Sequence, residues 1–221
     1  MVDMRLSNSL SEPCPGTIRK ECVLTDLALR HSSSDGSPLL RFGRYEDQPH
    51  QHLPTARLSA SNWKGLLIAD EVGLGKTISA LHYLRTLHSR GLKGGVLILS
   101  PGGLRRKWIN ELWHRIDIDA LEAKNGKQLL DYFSRISEGE SLIVVASHGI
   151  VRRSEMLAEM LDRTPELLLT IVDESHHLRN HKSRLHDAMT ILGLKSERIL
   201  LLTATPVNLS EQDLWVQLSH L

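Results

Sequence analysis

Apolar residues cluster in five short runs, at positions 66–68, 95–99, 142–146, 167–172 and 199–202, and each run gives way to small or polar residues. Continuous apolar runs of this length suit strands covered on both faces, because a half-exposed strand would alternate. The segments between them carry helical spacing. Residues 78–90 read as an amphipathic helix, and so do residues 104–116, where Leu104, Trp108, Ile109 and Leu112 share one face. Residues 210–221 read as a last helix, with Ser210 as its cap. Strands alternating with helices predict an α/β fold, a mostly parallel sheet with helices on both faces. Ligands of such sheets gather at the carboxyl ends of the strands.

Residues 1–45 lack this periodicity and are punctuated by Pro13, Pro15-Gly16 and the stretch HSSSDGSP. Residues 22–30 suit a strand or a short helix equally. The expectation is a partly ordered extension over 1–45, ahead of one domain over 46–221. A length of 221 residues allows one substantial α/β domain and excludes two.

Composition adds mainly exclusions. A formal net charge of +1 gives no bulk attraction to nucleic acid, so any such binding must come from local patches, and 4% aromatic content argues against base-stacking platforms. Cys14 and Cys22 are the only cysteines, expected as free thiols of a reducing compartment. No apolar run approaches the ~20 residues of a membrane span and no signal-peptide core is present, so the expected setting is cytoplasmic without a membrane partner.

Chemistry follows the runs. After the first come Asp70, Glu71, Val72, Gly73, Leu74, Gly75, Lys76 and Thr77, and then a helix. Glycines let backbone N–H groups approach an anion, and the helix N-terminus adds partial positive charge, so this turn suits a nucleotide's phosphates. Upstream, Gln51 is either part of a polar loop or an amide that donates to and accepts from an adenine edge. The second run opens onto Ser100, Pro101 and Gly102, with Arg105, Arg106 and Lys107 in the next helix's first turn, where the helix dipole disfavours cations. The third opens onto Ser147 and His148, with Arg152 and Arg153 at the start of the following helix. Both clusters are either solvated basic faces or sites that follow an external phosphate chain.

The fourth run delivers Asp173 and Glu174, adjacent carboxylates that leave a strand in different directions, so that one can hold magnesium while the other orients or deprotonates water. The fifth ends in Thr203, Ala204, Thr205 and Pro206, whose hydroxyls either bond the acidic pair or cap the turn. His176, His177, His181 and His186 have some ligand-like spacings, but no cysteines accompany them and a metal site is not expected.

DEVGLGKT (70–77), DESH (173–176) and LLTATP (201–206) resemble motifs I, II and III of superfamily-two helicase-like ATPases, and the spelling of the first and third is similar to the SNF-type branch of DNA translocases, its bacterial members above all. The resemblance covers about 45–221. It implies a RecA-like P-loop lobe that uses ATP and Mg2+ and acts on double-stranded DNA. It also implies that Lys76 neutralises the β- and γ-phosphates, Thr77 and Asp173 hold magnesium, Glu174 is the general base, and Gln51 reads adenine. Gly73 and Gly75 would allow the loop's curvature, with Leu74 between them. Thr203 and Thr205 would couple nucleotide state to DNA contact. Ser100, Gly102, Ser147 and His148, with Arg105, Arg106, Lys107, Arg152 and Arg153, would face the DNA backbone. Asp70 stands where the general P-loop pattern has glycine; Asp70 and Glu71 are expected to turn toward the N–H groups of their own loop. The family's motor has a second RecA-like lobe, expected in cis or from a partner chain. Two other readings stand beside the translocase: a non-motor nucleotide-binding module, and an RNA helicase of the same superfamily.

Overall fold

The computed structural model describes residues 48–71, 73–91, 93–206 and 211–221. The expectations for residues 1–45, for both cysteines and for the Ser210 cap lie outside these.

A six-stranded sheet forms the centre, in the order β1-β6-β5-β2-β4-β3, with every pair parallel. The strands are β1 (Gly65–Ile68), β2 (Gly95–Ser100), β3 (Leu121–Glu122), β4 (Ile143–Ser147), β5 (Leu167–Asp173) and β6 (Ser196–Leu202). Five correspond to the five apolar runs. The sixth, β3, is a two-residue edge strand whose Leu-Glu sequence carries no apolar run. Strand β6 begins before the apolar stretch, at Ser196, whose hydroxyl lies 2.7 Å from that of Thr170 in the neighbouring strand.

Helices cover both faces. On one lie α1 (Leu53–Ala60), α2 (Lys76–Ser89) and α3 (Arg105–Ile116); Leu58, Leu84, Trp108 and Leu112 pack there against Ile98, Val145, Ile171 and Leu200. On the other lie α4 (Gly126–Ser137), the single turn α5 (His148–Val151), α6 (Ser154–Arg163) and α7 (Arg184–Lys195), with Phe133, Met160 and Met189 against Leu97, Val144 and Leu201. A last helix, α8 (Glu211–Leu218), follows β6. Asn125 and Ser183 cap α4 and α7 by accepting the amides of Gln128 and His186.

The segment before β1 is more ordered than a polar loop. Pro49–His52 forms a 3-10 turn and α1 continues from it, each with proline at its start, where a missing N–H costs nothing. Among the described residues no helix is long and apolar enough to cross a membrane.

Parallel pairing puts all the strands' carboxyl ends on one edge. Ile68 pairs with Leu202 and Leu202 with Asp173, while Leu99 pairs with Val172 and Ser100 with Ser147. Side by side along that edge, the glycine loop is followed by Thr203, the acidic pair, the Ser100 turn and the Ser147 turn.

Candidate functional site

Gly73 and Gly75 take left-handed backbone angles, φ +90° and +88°, which wrap the chain from β1 into α2. At Gly75 glycine is required twice over: a side-chain carbon there would overlap Gln51 Nε2 and stand 3.1 Å from its Cδ. Gln51 is buried, donates to the Leu74 carbonyl at 3.3 Å and accepts the Gln48 amide at 3.2 Å. His50 Nε2 also lies 3.0 Å from the Leu74 carbonyl. The upstream turn and the glycine loop therefore form one packed unit, with Gln51 against the loop.

Lys76 folds its ammonium over the loop, donating to the carbonyls of Asp70 and Glu71 at 2.8 and 3.1 Å. Asp70 and Glu71 thus contribute main-chain oxygens that hold the lysine, a role the sequence did not suggest. The reason is geometric, because Lys76 at the helix start reaches back across the turn it closes. Thr77 follows, half-buried in the first turn of α2.

Asp173 ends β5 in a buried position. The Trp108 indole N–H donates to its Oδ2 at 2.8 Å and the Glu174 amide to its Oδ1 at 3.0 Å. Burial pushes the carboxyl above its usual range, and the Trp108 hydrogen bond pulls it back. Each oxygen keeps acceptor capacity beyond its one bond, a donor set that suits a hydrated hard cation.

Glu174 adopts left-handed angles (φ 52°, ψ 50°), rare for a residue with a side chain, and so departs from the direction of Asp173. Its Oε2 is 3.1 Å from His176 Nδ1, and that nitrogen is 3.5 Å from the Thr203 hydroxyl. Thr203 Oγ1 also accepts the Thr205 amide at 3.1 Å. Of the two roles open to the threonines, Thr203 caps the turn and reaches Glu174 only through His176.

The expected DNA-facing residues divide. Gly102, Arg106, Lys107, Arg152 and Arg153 are exposed. The side chains of Ser100, Ser147 and His148, at the ends of β2 and β4 and the start of α5, are buried and do not project from the edge. Arg105 turns sideways, donating to the Ala123 carbonyl at 3.0 Å and lying 3.4 Å from Glu122, so it secures β3. Arg152 ends α5 and Arg153 is the N-cap of α6, at the start of the following helix.

The histidines pair with one another. His176 and His177 have ring centres 4.3 Å apart, His177 and His148 5.5 Å, and His220 Nε2 lies 3.0 Å from His186 Nδ1. Among the described residues no group of three or more His, Cys, Asp or Glu is arranged to hold a metal ion.

Sequence reasoning passed over two residues of this edge. Trp108 counted only as an apolar helix position, although a buried indole N–H needs an acceptor. Gln217 on α8 is fully buried, and a buried amide needs hydrogen-bond partners.

The fold and edge define a RecA-like α/β lobe. The SNF2-related domain family matches residues 29–221, and the chain belongs to that family. The match begins ahead of residue 46, within the expected extension. Relatives include the probable ATP-dependent DNA helicase CHR12 of Arabidopsis thaliana, 33% identical over 73% of this chain and 14% of its own length. The ATP-dependent helicase YqhH of Bacillus subtilis is 36% identical over 72% of this chain and 26% of its own. The RNA polymerase-associated protein RapA of Yersinia enterocolitica is 30% identical over 77% and 18%. This chain thus spans about a quarter or less of the length of each. Among solved structures, the SWI2/SNF2 ATPase core of Sulfolobus solfataricus, determined in complex with dsDNA, shares the fold with TM-score 0.65 and 21% identity, over 83% of this chain and 38% of that one.

Proposed function

We propose that this chain is the ATP-binding and hydrolysing lobe of an SNF2-type translocase driven along double-stranded DNA. The observation that carries the reading is the register of β1, β6 and β5, in which Ile68, Leu202 and Asp173 lie abreast and bring the glycine loop, Thr203 and the acidic pair into one site.

In this reading the loop amides and Lys76 bind the triphosphate, with the lysine leaving the carbonyls of Asp70 and Glu71 for the phosphates. Gln51, held against Gly75 and Leu74, meets the adenine. Thr77 and Asp173 hold Mg2+, which offsets phosphate charge when bound. Glu174 takes the proton of the attacking water, and His176 fixes its carboxylate. Arg106, Lys107, Arg152 and Arg153 follow the DNA backbone. A second RecA-like lobe, in cis or on a partner chain, completes the site; an arginine finger of the kind it brings contributes ~10³-fold or more to phosphoryl transfer.

The test is ATP turnover with and without duplex DNA, beside Lys76→Ala and Glu174→Gln. Slow turnover that Lys76→Ala abolishes, with nucleotide retained by Glu174→Gln, is expected. A Glu174→Gln chain that releases nucleotide as wild type does would indicate a passive binder. Stimulation by RNA in place of duplex DNA would make it an RNA motor.

A further inference from the structure

We propose that Trp108 is a positioning residue that links DNA contact to the nucleotide site, through the hydrogen bond between its indole and Asp173. The proposal rests on the reading above and extends it to a residue outside the motifs.

Trp108 is 1% exposed, and its Nε1–H donates to Asp173 Oδ2 at 2.8 Å, across 65 residues of sequence. It is the fourth residue of α3, directly after the exposed Arg106 and Lys107. Successive helical residues are ~100° apart, so one turn carries two cations outward and an indole inward. The two ends of the linkage therefore ride on a single rigid element. A phosphate chain that moves or steadies the start of α3 moves or steadies the indole with it.

The far end of the bond is the carboxylate assigned to magnesium. A buried indole N–H must keep an acceptor, and an ionised carboxylate makes a stronger one than a carbonyl. Moving the indole without the carboxylate is therefore disfavoured. The link joins two adjacent strands' loops: α3 follows β2, one of the strands with exposed basic residues after it, whereas Asp173 ends β5, beside the nucleotide strands. Equilibrium coupling is reciprocal, so nucleotide must alter DNA affinity by the same factor that DNA alters nucleotide affinity.

The experiment measures the affinity of the 221-residue chain for a labelled duplex oligonucleotide, with and without saturating Mg2+ and a non-hydrolysable ATP analogue, in wild type and Trp108→Phe. Wild type should show a ~5-fold or larger change between the two states. Trp108→Phe should bind each ligand alone within about threefold of wild type, with the change reduced to near unity, as expected for a coupling of that size. An undiminished change in the variant would overturn the proposal and leave the proposed function standing. No duplex binding by wild type would overturn both.

A second measurement needs no variant. Trp63, Trp113 and Trp215 are at least half exposed, so the indole proton slowest to exchange belongs to Trp108. Its NMR resonance should shift when duplex DNA is added. A resonance that stays fixed while DNA binds would equally overturn the link.

Discussion

The hydroxyl of Ser175 donates to Gln217 Oε1 at 2.8 Å, and both residues are fully buried. The same amide's Nε2 donates to the carbonyls of Pro206 and Asp213 at 2.9 and 3.1 Å. One side chain of α8 thereby ties the residue after Glu174 to the turn after β6.

Gln217→Leu would leave the Ser175 hydroxyl and the Pro206 carbonyl without this partner. A loss of about 2 kcal/mol in unfolding free energy is expected in urea titrations, since a buried unsatisfied group costs ~1–3 kcal/mol. Ser175→Ala should cost less. The double variant should fall short of the sum by at least ~0.5 kcal/mol, and strict additivity would mean that the two residues do not act together.

Gly73 and Gly75 offer a matched comparison, because their φ angles are alike and their surroundings are not. A methyl group at Gly73 meets nothing within 4 Å, whereas at Gly75 it displaces Gln51. Both alanine variants carry backbone strain of ~1–2 kcal/mol. Only Gly75→Ala should also erode the preference for adenine over guanine nucleotides in fluorescence titrations. Equal preferences in the two variants would separate Gln51 from base recognition.

The arginines of α3 should behave oppositely. Arg105→Ala frees β3 and should speed amide exchange at residues 121–123 with little change in duplex affinity. Replacing Arg106 and Lys107 by alanine should lower duplex affinity and reduce the salt slope by ~1 for each lost phosphate contact, while leaving exchange in β3 untouched. An Arg105→Ala chain with the larger DNA defect would reverse these assignments.

Stability should fall on mild acidification. Burial lowers the pKa of His82 to about 3 and those of His148 and His220 to about 4, each helped by a neighbouring histidine. From pH 6.5 down to about 4 the unfolded chain takes up protons at these positions and the folded chain does not. The histidines' contribution is therefore complete above pH 6.5 and is lost progressively below it, by up to ~1.4 kcal/mol per pH unit for each group. Urea midpoints measured from pH 7.5 to 4.5 test this, and His148→Phe should flatten the acid limb. A midpoint that stays level down to pH 4.5 would show that these side chains are protonated in the folded state.

The five apolar runs made the sheet legible because strands buried on both faces leave an unbroken signal. Strand β3 was not legible, since two residues at an edge need no apolar side chains and depend instead on Arg105. The 3-10 turn and α1 were not legible because the segment around Gln51 is short and polar at its start, and its prolines fit a helix only at the first positions, where they stand. The glycine loop and acidic pair were legible as chemistry, because their residue types are rare in that order. Ser100, Ser147 and His148 stand at the strand ends, as expected, but their burial was not legible: sequence locates a residue at a strand's end and does not say whether its side chain is exposed or covered. Trp108 and Gln217 escaped because their bonds span 65 and 42 residues, beyond the reach of any local pattern.

Strands β2 and β4 are neighbours in the sheet, so the chain leaves it after Ser100 and after Ser147 one strand spacing apart, ~4.8 Å, and then diverges: Arg106 and Lys107 lie on α3 at one face, Arg152 and Arg153 between α5 and α6 at the other. Under the proposed function, a phosphate chain that meets both clusters passes over the sheet's edge from one helical layer to the other. The separation of its two footholds is then set by how thickly the helices cover the sheet, a property of the buried core that no surface substitution can alter.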